Sequence, residues 1–535
     1  MSQRLRSWWS DPVVLLALVA GLIAFVVQSG DVDSVDTARR LQTTHSFWTS
    51  APPVLLNDYP EFGIRGRGGR IYAWYGMGQS LLMLPADIVG TGLEQLPVFA
   101  RYMGDGNDPS VRNIVVSYST NILVNVLTSL VCLRFLLLLG FERKHAFAGV
   151  LALLVCTTHL HYTQNMMENN FIMLLTLTGF AYQYEWLVTG NRRSLWIGSA
   201  AFGFNLLTRL TAGLDLLAGA FFLLVVLWFT NVRGRALWER CVAYARVIFP
   251  VYAVFLLIDR LYQFYRFGSI FNTYVALFAV EQRRLRPDLP ASYPFETPFH
   301  VGFFGALFTP EKSIFLFDPL LLLMILVAIL AWRRFRPEVR AYLIGAWLLL
   351  LAYVCFYARY TVWSGDSAWG DRYVSTAAEM AAFLSVPLLL KYRASIGKVT
   401  WVIGVAVIAA ATAVQVASVA FWLELELVQM LTLGHPAFVI GLRFKNIVAF
   451  ALGKAQQWHL MNPDMTDDAW DYVHISTWNF LPFVLRRVGE APAWVVRTAF
   501  AIWTVGILSL GTTLLRVTAL LRGEDRYRVQ EVSRT

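Results

Sequence analysis

Gly30-Asp31-Val32-Asp33-Ser34-Val35-Asp36 follows directly on an apolar stretch of bilayer-spanning length, and places three carboxylates within six residues. A carboxylate beside hydrocarbon is costly, so its presence needs a reason. Such acids can take a proton from a hydroxyl as a general base, or hold a divalent metal ion. They equally suit a solvated helix start, where Asp caps the orphan N–H groups. If a helix continues into Thr37-Ala38-Arg39-Arg40, Asp33 and Asp36 share a face. Asp31 then stands near the positive end of the helix dipole.

Cations that could answer these acids lie far along the chain. Trp363-Ser364-Gly365-Asp366-Ser367-Ala368-Trp369-Gly370-Asp371-Arg372-Tyr373 carries an arginine at the edge of an apolar span. Its planar fork suits phosphate, because several N–H groups donate at once. The plainer reading is an aromatic belt made by Trp363 and Tyr373, with Arg372 paired to Asp371 or Asp366. Arg209 also ends a span and offers a second phosphate contact, or a partner for Asp215. Lys312, in Thr309-Pro310-Glu311-Lys312, joins the same cavity if its loop re-enters. The turn His159-Leu160-His161-Tyr162-Thr163-Gln164-Asn165-Met166-Met167-Glu168 is polar yet holds no Lys or Arg. Glu168 there begins a helix, which favours its ionised form. The His159-x-His161 pair has zinc-like spacing but no evident further ligand.

These residues must be positioned by membrane helices. The chain has 535 residues, is 57% hydrophobic and 15% charged, and has a mean hydropathy of +0.52. A soluble domain carries about 25% charged residues. Apolar spans are expected at about 13–28, 113–139, 146–159, 171–189, 194–212, 214–231, 246–263, 315–332, 341–358, 374–390, 399–421 and 495–515. Every second connection is basic, from Arg4 and Arg6 through Arg143, Arg192, Arg233, Arg333 and Lys391 to Arg526 and Arg528. The positive-inside rule then puts both termini in the cytoplasm and the residues above on the outer face. The fold class expected is all-α, a polytopic membrane bundle of about twelve transmembrane helices. Long outer connections fall at 29–112, 264–314 and 422–494, with a shorter one at 359–373. Within the first, Ile71 through Pro85, with Tyr72, Trp74 and Tyr75 at its start, is apolar, aromatic and Gly-interrupted and is read as a helix lying at the interface; a thirteenth span is the alternative and would spoil the charge alternation. The last carries Trp458, Trp470 and Trp478 with Asp464, Asp467, Asp468 and Asp471, which suits carbohydrate or a loop resting on headgroups. The net charge of +10 follows topology rather than one surface, so anionic lipid headgroups are expected as partners and nucleic acid is not. The four cysteines show no metal spacing, and no disulfide is expected.

Four stretches together resemble the GT-C glycosyltransferases, membrane enzymes that use polyprenyl-phosphate sugars. The likeness is to the bacterial branch related to protein O-mannosyltransferases and lipid A aminoarabinose transferases. Gly30 through Arg39 is similar to the acidic first-loop motif, and Tyr72 through Pro85 to an aromatic Gly/Pro segment. Phe308 through Pro319 resembles a loop entering a mid-chain span, and Trp363 through Tyr373 a Gly-rich loop ending in Arg-Tyr. The resemblance covers roughly residues 1–390. It implies a GT-C bundle with interfacial helices in the first outer loop, and a general base among Asp31, Asp33 and Asp36. The relatives carry Gly-Asp-Glu where Val32 and Asp33 follow here, so all three acids stay open. It also implies that Arg372 faces the lipid phosphate.

The function expected is an inverting glycosyltransferase of the cytoplasmic membrane, acting from the outer face. Its partners would be a polyprenyl-phosphate sugar, membrane lipids and an extracytoplasmic glycan, glycolipid or protein acceptor. The sequence specifies no cofactor, and a divalent metal is compatible with the acids. Residues 1–421 would form the catalytic module, 422–494 an outer loop or small extracytoplasmic region, and 495–535 the last span with a basic tail. The rival readings are a transporter or lipid flippase, whose charges belong at the midplane, and a silent partner in envelope assembly.

Overall fold

Asp11 opens the Pro12–Val27 helix: its carboxylate accepts from the Val13 N–H at 2.9 Å, and Pro12 sits where no N–H is needed. The computed structural model describes residues 11–32, 34–55, 63–99, 109–461, 477–488 and 491–532, without the side chains of 488 and 523–532. Asp33, Arg4, Arg6, Asp464, Asp467, Asp468, Trp470 and Asp471 lie outside the described residues, as do the side chains of Arg526 and Arg528.

Among the described residues, six helices are long and apolar enough to cross a membrane: Val111–Leu138, Leu210–Phe229, Gly234–Phe267, Pro337–Tyr357, Arg393–Ser418 and Ala493–Arg522. Pro12–Val27 and Phe299–Phe308 are shorter apolar helices. With Arg143–Cys156, Asn169–Thr189, Arg192–Thr208 and Leu320–Ala331 between them, they make an all-α membrane bundle. The sheet described is one small hairpin, Ile64–Arg65 against Ile71–Tyr72. Lipid is as apolar as leucine, so close packing rather than water exclusion holds such helices together. Aromatic rings supply it: Phe135 meets Tyr342 edge-on at 5.1 Å, and Phe180 stacks on Phe222 at 5.7 Å. These four rings join four helices.

Three expected spans are broken. The one over 315–332 is two helices, Ile314–Phe317 and Leu320–Ala331. Pro319 lacks an N–H and forces Asp318 out of helical geometry, to φ −123 and ψ 72. The one over 374–390 is likewise Ser375–Ala382 and Ser385–Lys391. The one over 146–159 stops at Cys156, and His159–Gln164 forms a short helix of its own. That polar turn is buried rather than open. Gln164 Nε2 stands 2.7 Å from the Val27 carbonyl and 2.9 Å from that of Val419. Its polarity satisfies backbone groups that hydrocarbon cannot.

The Tyr72–Pro85 stretch is helical only in its second part. It begins as a strand, and the helix runs Gly78–Glu94, packed on Val111–Leu138 and on Val35–Ser46. Glycine explains the path. A Cβ at Gly76 would lie 2.2 Å from the Leu207 carbonyl oxygen, and one at Gly78 2.1 Å from the Thr208 hydroxyl. Only glycine lets this segment rest on the end of the helix that carries Arg209.

Candidate functional site

Ser34 accepts from the Thr37 N–H at 3.2 Å and starts the Val35–Ser46 helix, which puts Asp36 in its first turn. Thr37, Arg40, Leu41 and Thr44 recur at helical spacing on its buried face. The Thr37 hydroxyl donates to the Met166 carbonyl at 2.7 Å, docking the helix beside Glu168. Asp36 and Arg40 therefore stand one turn apart against the start of the Asn169–Thr189 helix.

Arg372 meets them from the other end of the chain. Its Nη1 donates to Asp36 Oδ2 at 2.7 Å. The Tyr75 hydroxyl donates to the other oxygen, Oδ1. Arg40 Nη2 lies 2.7 Å from Glu168 Oε2, and Arg209 bonds Oε1 of the same carboxylate. The rings of two tyrosines back the cations: Arg40 over Tyr75 at 4.0 Å, Arg372 over Tyr373 at 5.2 Å. Three guanidinium groups thus face two carboxylates, which leaves one positive charge in excess. Asp36 and Arg372 are the more accessible pair, at 14% and 15% exposure, against 3% for Arg40.

Buried donors are normally spent on acceptors. Here Arg40 Nη1 and Arg372 Nε have no hydrogen-bond partner among the described residues. Burial works against a charged Glu168, but the guanidinium groups of Arg40, Arg209 and Arg372 outweigh it and hold the carboxyl well below the usual range. Burial, then the charge of Asp36, pushes the Tyr75 phenol up, so it stays protonated and donates. The arrangement can bind an oxyanion and present a carboxylate beside it.

Arg40 and Arg266 were not singled out from sequence. Arg40 had a signal, its i, i+4 spacing from Asp36. Arg266 had none, since an arginine ending an apolar helix reads as snorkelling. It is buried, donates to the Tyr75 carbonyl at 3.0 Å and to that of Ala73, and lies 4.2 Å from the Tyr262 ring. Its Nε and Nη2 lack partners among the described residues.

Other expected site residues are elsewhere or otherwise engaged. Asp31 accepts from Asn113 Nδ2 at 3.1 Å and from the Val32 N–H at 2.7 Å. Asp33 lies outside the described residues. Lys312 is buried and its ammonium is spent on backbone: it donates to the carbonyls of Asp366, of Ala368 at 2.8 Å and of Gly370 at 3.3 Å. It braces the arginine loop and has no donor left for a phosphate. Burial pushes its pKa down to about 8. Arg209 pairs with Glu168, while Asp215 takes the Tyr353 hydroxyl at 2.7 Å. Asp371 accepts from the Tyr373 N–H at 3.0 Å rather than from Arg372, and burial raises its carboxyl to about 7. Asp366 is exposed.

Tyr72 packs edge-on against Tyr265 and Phe267, at the base of the hairpin. Trp363 covers Gly305, where a Cβ would meet its ring at 2.2 Å. His161 is buried and stacked on Trp369 at 5.8 Å; burial, and then Arg443, lowers it to about 3, so the ring is neutral. His159 Nε2 lies 3.0 Å from Asn125 Oδ1. Among the described residues no group of three or more His, Cys, Asp or Glu is arranged to hold a metal ion. An apolar cavity of about 470 Å³, lined by Ile23, Val27, Leu151, Leu160 and Leu514 among others, contains none of the candidate residues.

No protein-family model and no curated protein matches this chain. Among solved structures it is similar to the crystal structure of ArnT from Cupriavidus metallidurans bound to undecaprenyl phosphate. The identity is 16% and the TM-score 0.43, over 96% of this chain and 77% of that one.

Proposed function

We propose that this protein is a glycosyltransferase of the cytoplasmic membrane. It takes a sugar from a polyprenyl-phosphate donor and passes it, with inversion, to an extracytoplasmic acceptor. The observation that carries the reading is the Asp36–Arg372 pair at 2.7 Å, set in a cluster with surplus positive charge. A base and a phosphate-binding cation are needed on either side of one anomeric carbon, and these two side chains start in contact.

In the reaction, the donor phosphate takes the guanidinium of Arg372, with Arg40 and Arg209 adding field. Asp36 is then released to accept the proton of the acceptor hydroxyl. The hydroxyl oxygen bonds to the anomeric carbon as the bond from that carbon to the phosphate oxygen breaks. The electron pair leaves on the lipid phosphate, and the surplus positive charge stabilises it as it forms. Glu168 is a poorer base, because both its oxygens are held by arginines. Alternation of the basic connections supports an outward-facing site with cytoplasmic termini.

The test compares glycans and glycolipids from cells with the gene, without it, and with Asp36→Asn in its place. The same glycan should be missing from the deletion and from the variant. Full restoration by Asp36→Asn would remove Asp36 as base.

A further inference from the structure

We infer that Arg443, from the long segment after the Arg393–Ser418 helix, is a positioning residue for Arg372. The inference rests on the phosphate-binding role proposed above.

Arg443 is fully buried. Its Nη1 donates to the carbonyls of Ser418 at 2.8 Å and Phe421 at 3.0 Å, its Nη2 to that of Trp422 at 3.1 Å, and its Nε to Glu426 Oε1 at 2.6 Å. Glu426 closes the fork with its second oxygen, and Asn446 Nδ2 donates to Glu426 Oε1 at 3.0 Å. A buried ion pair can usually be replaced by apolar residues without loss of stability, so its presence points to a demand for fixed geometry. Among the described residues, no bond of this network reaches Asp36 or Glu168. What it reaches is Trp369, whose ring lies 5.1 Å from the guanidinium carbon.

Trp369 is the keystone of the loop before Arg372. Phe317 meets it edge-on at 5.0 Å, His161 stacks on it at 5.8 Å, and the Tyr162 hydroxyl donates to its carbonyl at 3.2 Å. A second tie comes from the same segment: the Ser367 hydroxyl donates to Glu424 Oε1 at 3.0 Å. Gly370 then turns the chain at φ +69 against Phe317, and Arg372 follows two residues later. A cation that must grip a phosphate at hydrogen-bond distance needs its backbone held this way. The expected outer segment after residue 421 is, on this account, a buttress of the phosphate site.

The test uses the full-length protein in nanodiscs and measures equilibrium binding of two probes, undecaprenyl phosphate and the neutral alcohol undecaprenol. The double variant Arg443→Met with Glu426→Leu removes both charges and strands neither. Undecaprenyl phosphate affinity should fall about tenfold, the cost of one misaligned charge-assisted hydrogen bond, while undecaprenol affinity holds. Unchanged affinity for both, or an equal loss for both, overturns the inference. If the double variant does not accumulate, Trp369→Phe is read by the same criterion. Arg372→Gln is the control. If it lowers phosphate affinity while the double variant does not, positioning by Arg443 fails and the functional reading stands. If it changes nothing, that reading fails and takes this one with it.

Discussion

Asp36→Asn should have opposite effects on binding and on chemistry. The substitution keeps the shape of the side chain and an oxygen for Tyr75, but removes the negative charge that Arg372 faces. Their N···O distance is 2.7 Å. For charge centres about 4 Å apart, the attraction is roughly 4 kcal/mol at an effective dielectric of about 20. On the function proposed above, a donor phosphate must break or share that contact. If a third of the attraction opposes binding, its removal strengthens the phosphate by about 1.4 kcal/mol, or tenfold. The variant also raises the excess positive charge of the cluster from one to two. Chemistry moves the other way: loss of a general base costs on the order of 10²–10⁴ in turnover. Undecaprenyl phosphate binding, measured by titration in detergent, should therefore tighten while sugar transfer by the same preparation collapses. Weaker binding would refute the competition between Asp36 and phosphate. Turnover within about threefold of wild type, a loss far smaller than a base commands, would refute the base.

The remaining predictions concern the supports. Arg372→Lys keeps the charge but loses the planar fork; undecaprenyl phosphate should dissociate faster, and unchanged kinetics would take Arg372 out of the site. Glu168→Gln strands the buried guanidinium groups of Arg40 and Arg209, a loss of about 3–5 kcal/mol that a denaturation midpoint reads directly. Because the Glu168 carboxyl is held low in the folded state, its contribution is complete above the ordinary carboxylate range and lost on acidification. Wild type should thus lose its advantage over Glu168→Gln as pH falls below about 4. Asp371 has the opposite sign. Burial raises it to about 7, so its contribution is full below about pH 4 and is lost by about pH 7; Asp371→Asn should flatten that part of the stability profile. Gly76→Ala would place a Cβ 2.2 Å from the Leu207 carbonyl. It should pull Tyr75 off Asp36 and lower transfer, whereas Gly92→Ala, with open space around its Cβ, should not.

The all-α membrane class is readable because it rests on composition over long windows. Spans at 113–139, 341–358 and 495–515 lie inside helices Val111–Leu138, Pro337–Tyr357 and Ala493–Val532 or within one residue of their ends. The breaks were harder. Pro319 announces one, but hydropathy averages straight through Asp318-Pro319, and the partner that makes a buried aspartate tolerable is Thr158, 160 residues away. The site was legible in part for the same reason. Asp36 and Arg372 carry chemistry in their types, whereas their meeting depends on a contact across 336 residues. Lys312 shows the limit. A lysine in a mid-chain loop looks like a phosphate ligand, and only the fold reveals that backbone carbonyls already occupy its ammonium.

A cluster of buried charges can be mere scaffolding, and three such clusters in this chain allow the distinction to be drawn internally. Asp87 accepts from Trp48 Nε1 at 2.8 Å, from Arg112 Nε and from His45 at 3.1 Å, and its charge is answered by one arginine. Arg443 and Glu426 are likewise one to one, with the guanidinium surrounded by carbonyls. Both are balanced and bonded on every side, as scaffolding should be. The cluster around Asp36 and Glu168 is neither. It holds a surplus cation, and Arg40 Nη1 and Arg372 Nε remain unspent among the described residues. Leaving a buried donor unpaired costs about 1–3 kcal/mol, and here it coincides with a surplus of positive charge. On the function proposed above, an incoming oxyanion removes that penalty, which then works as binding energy directed at the donor phosphate.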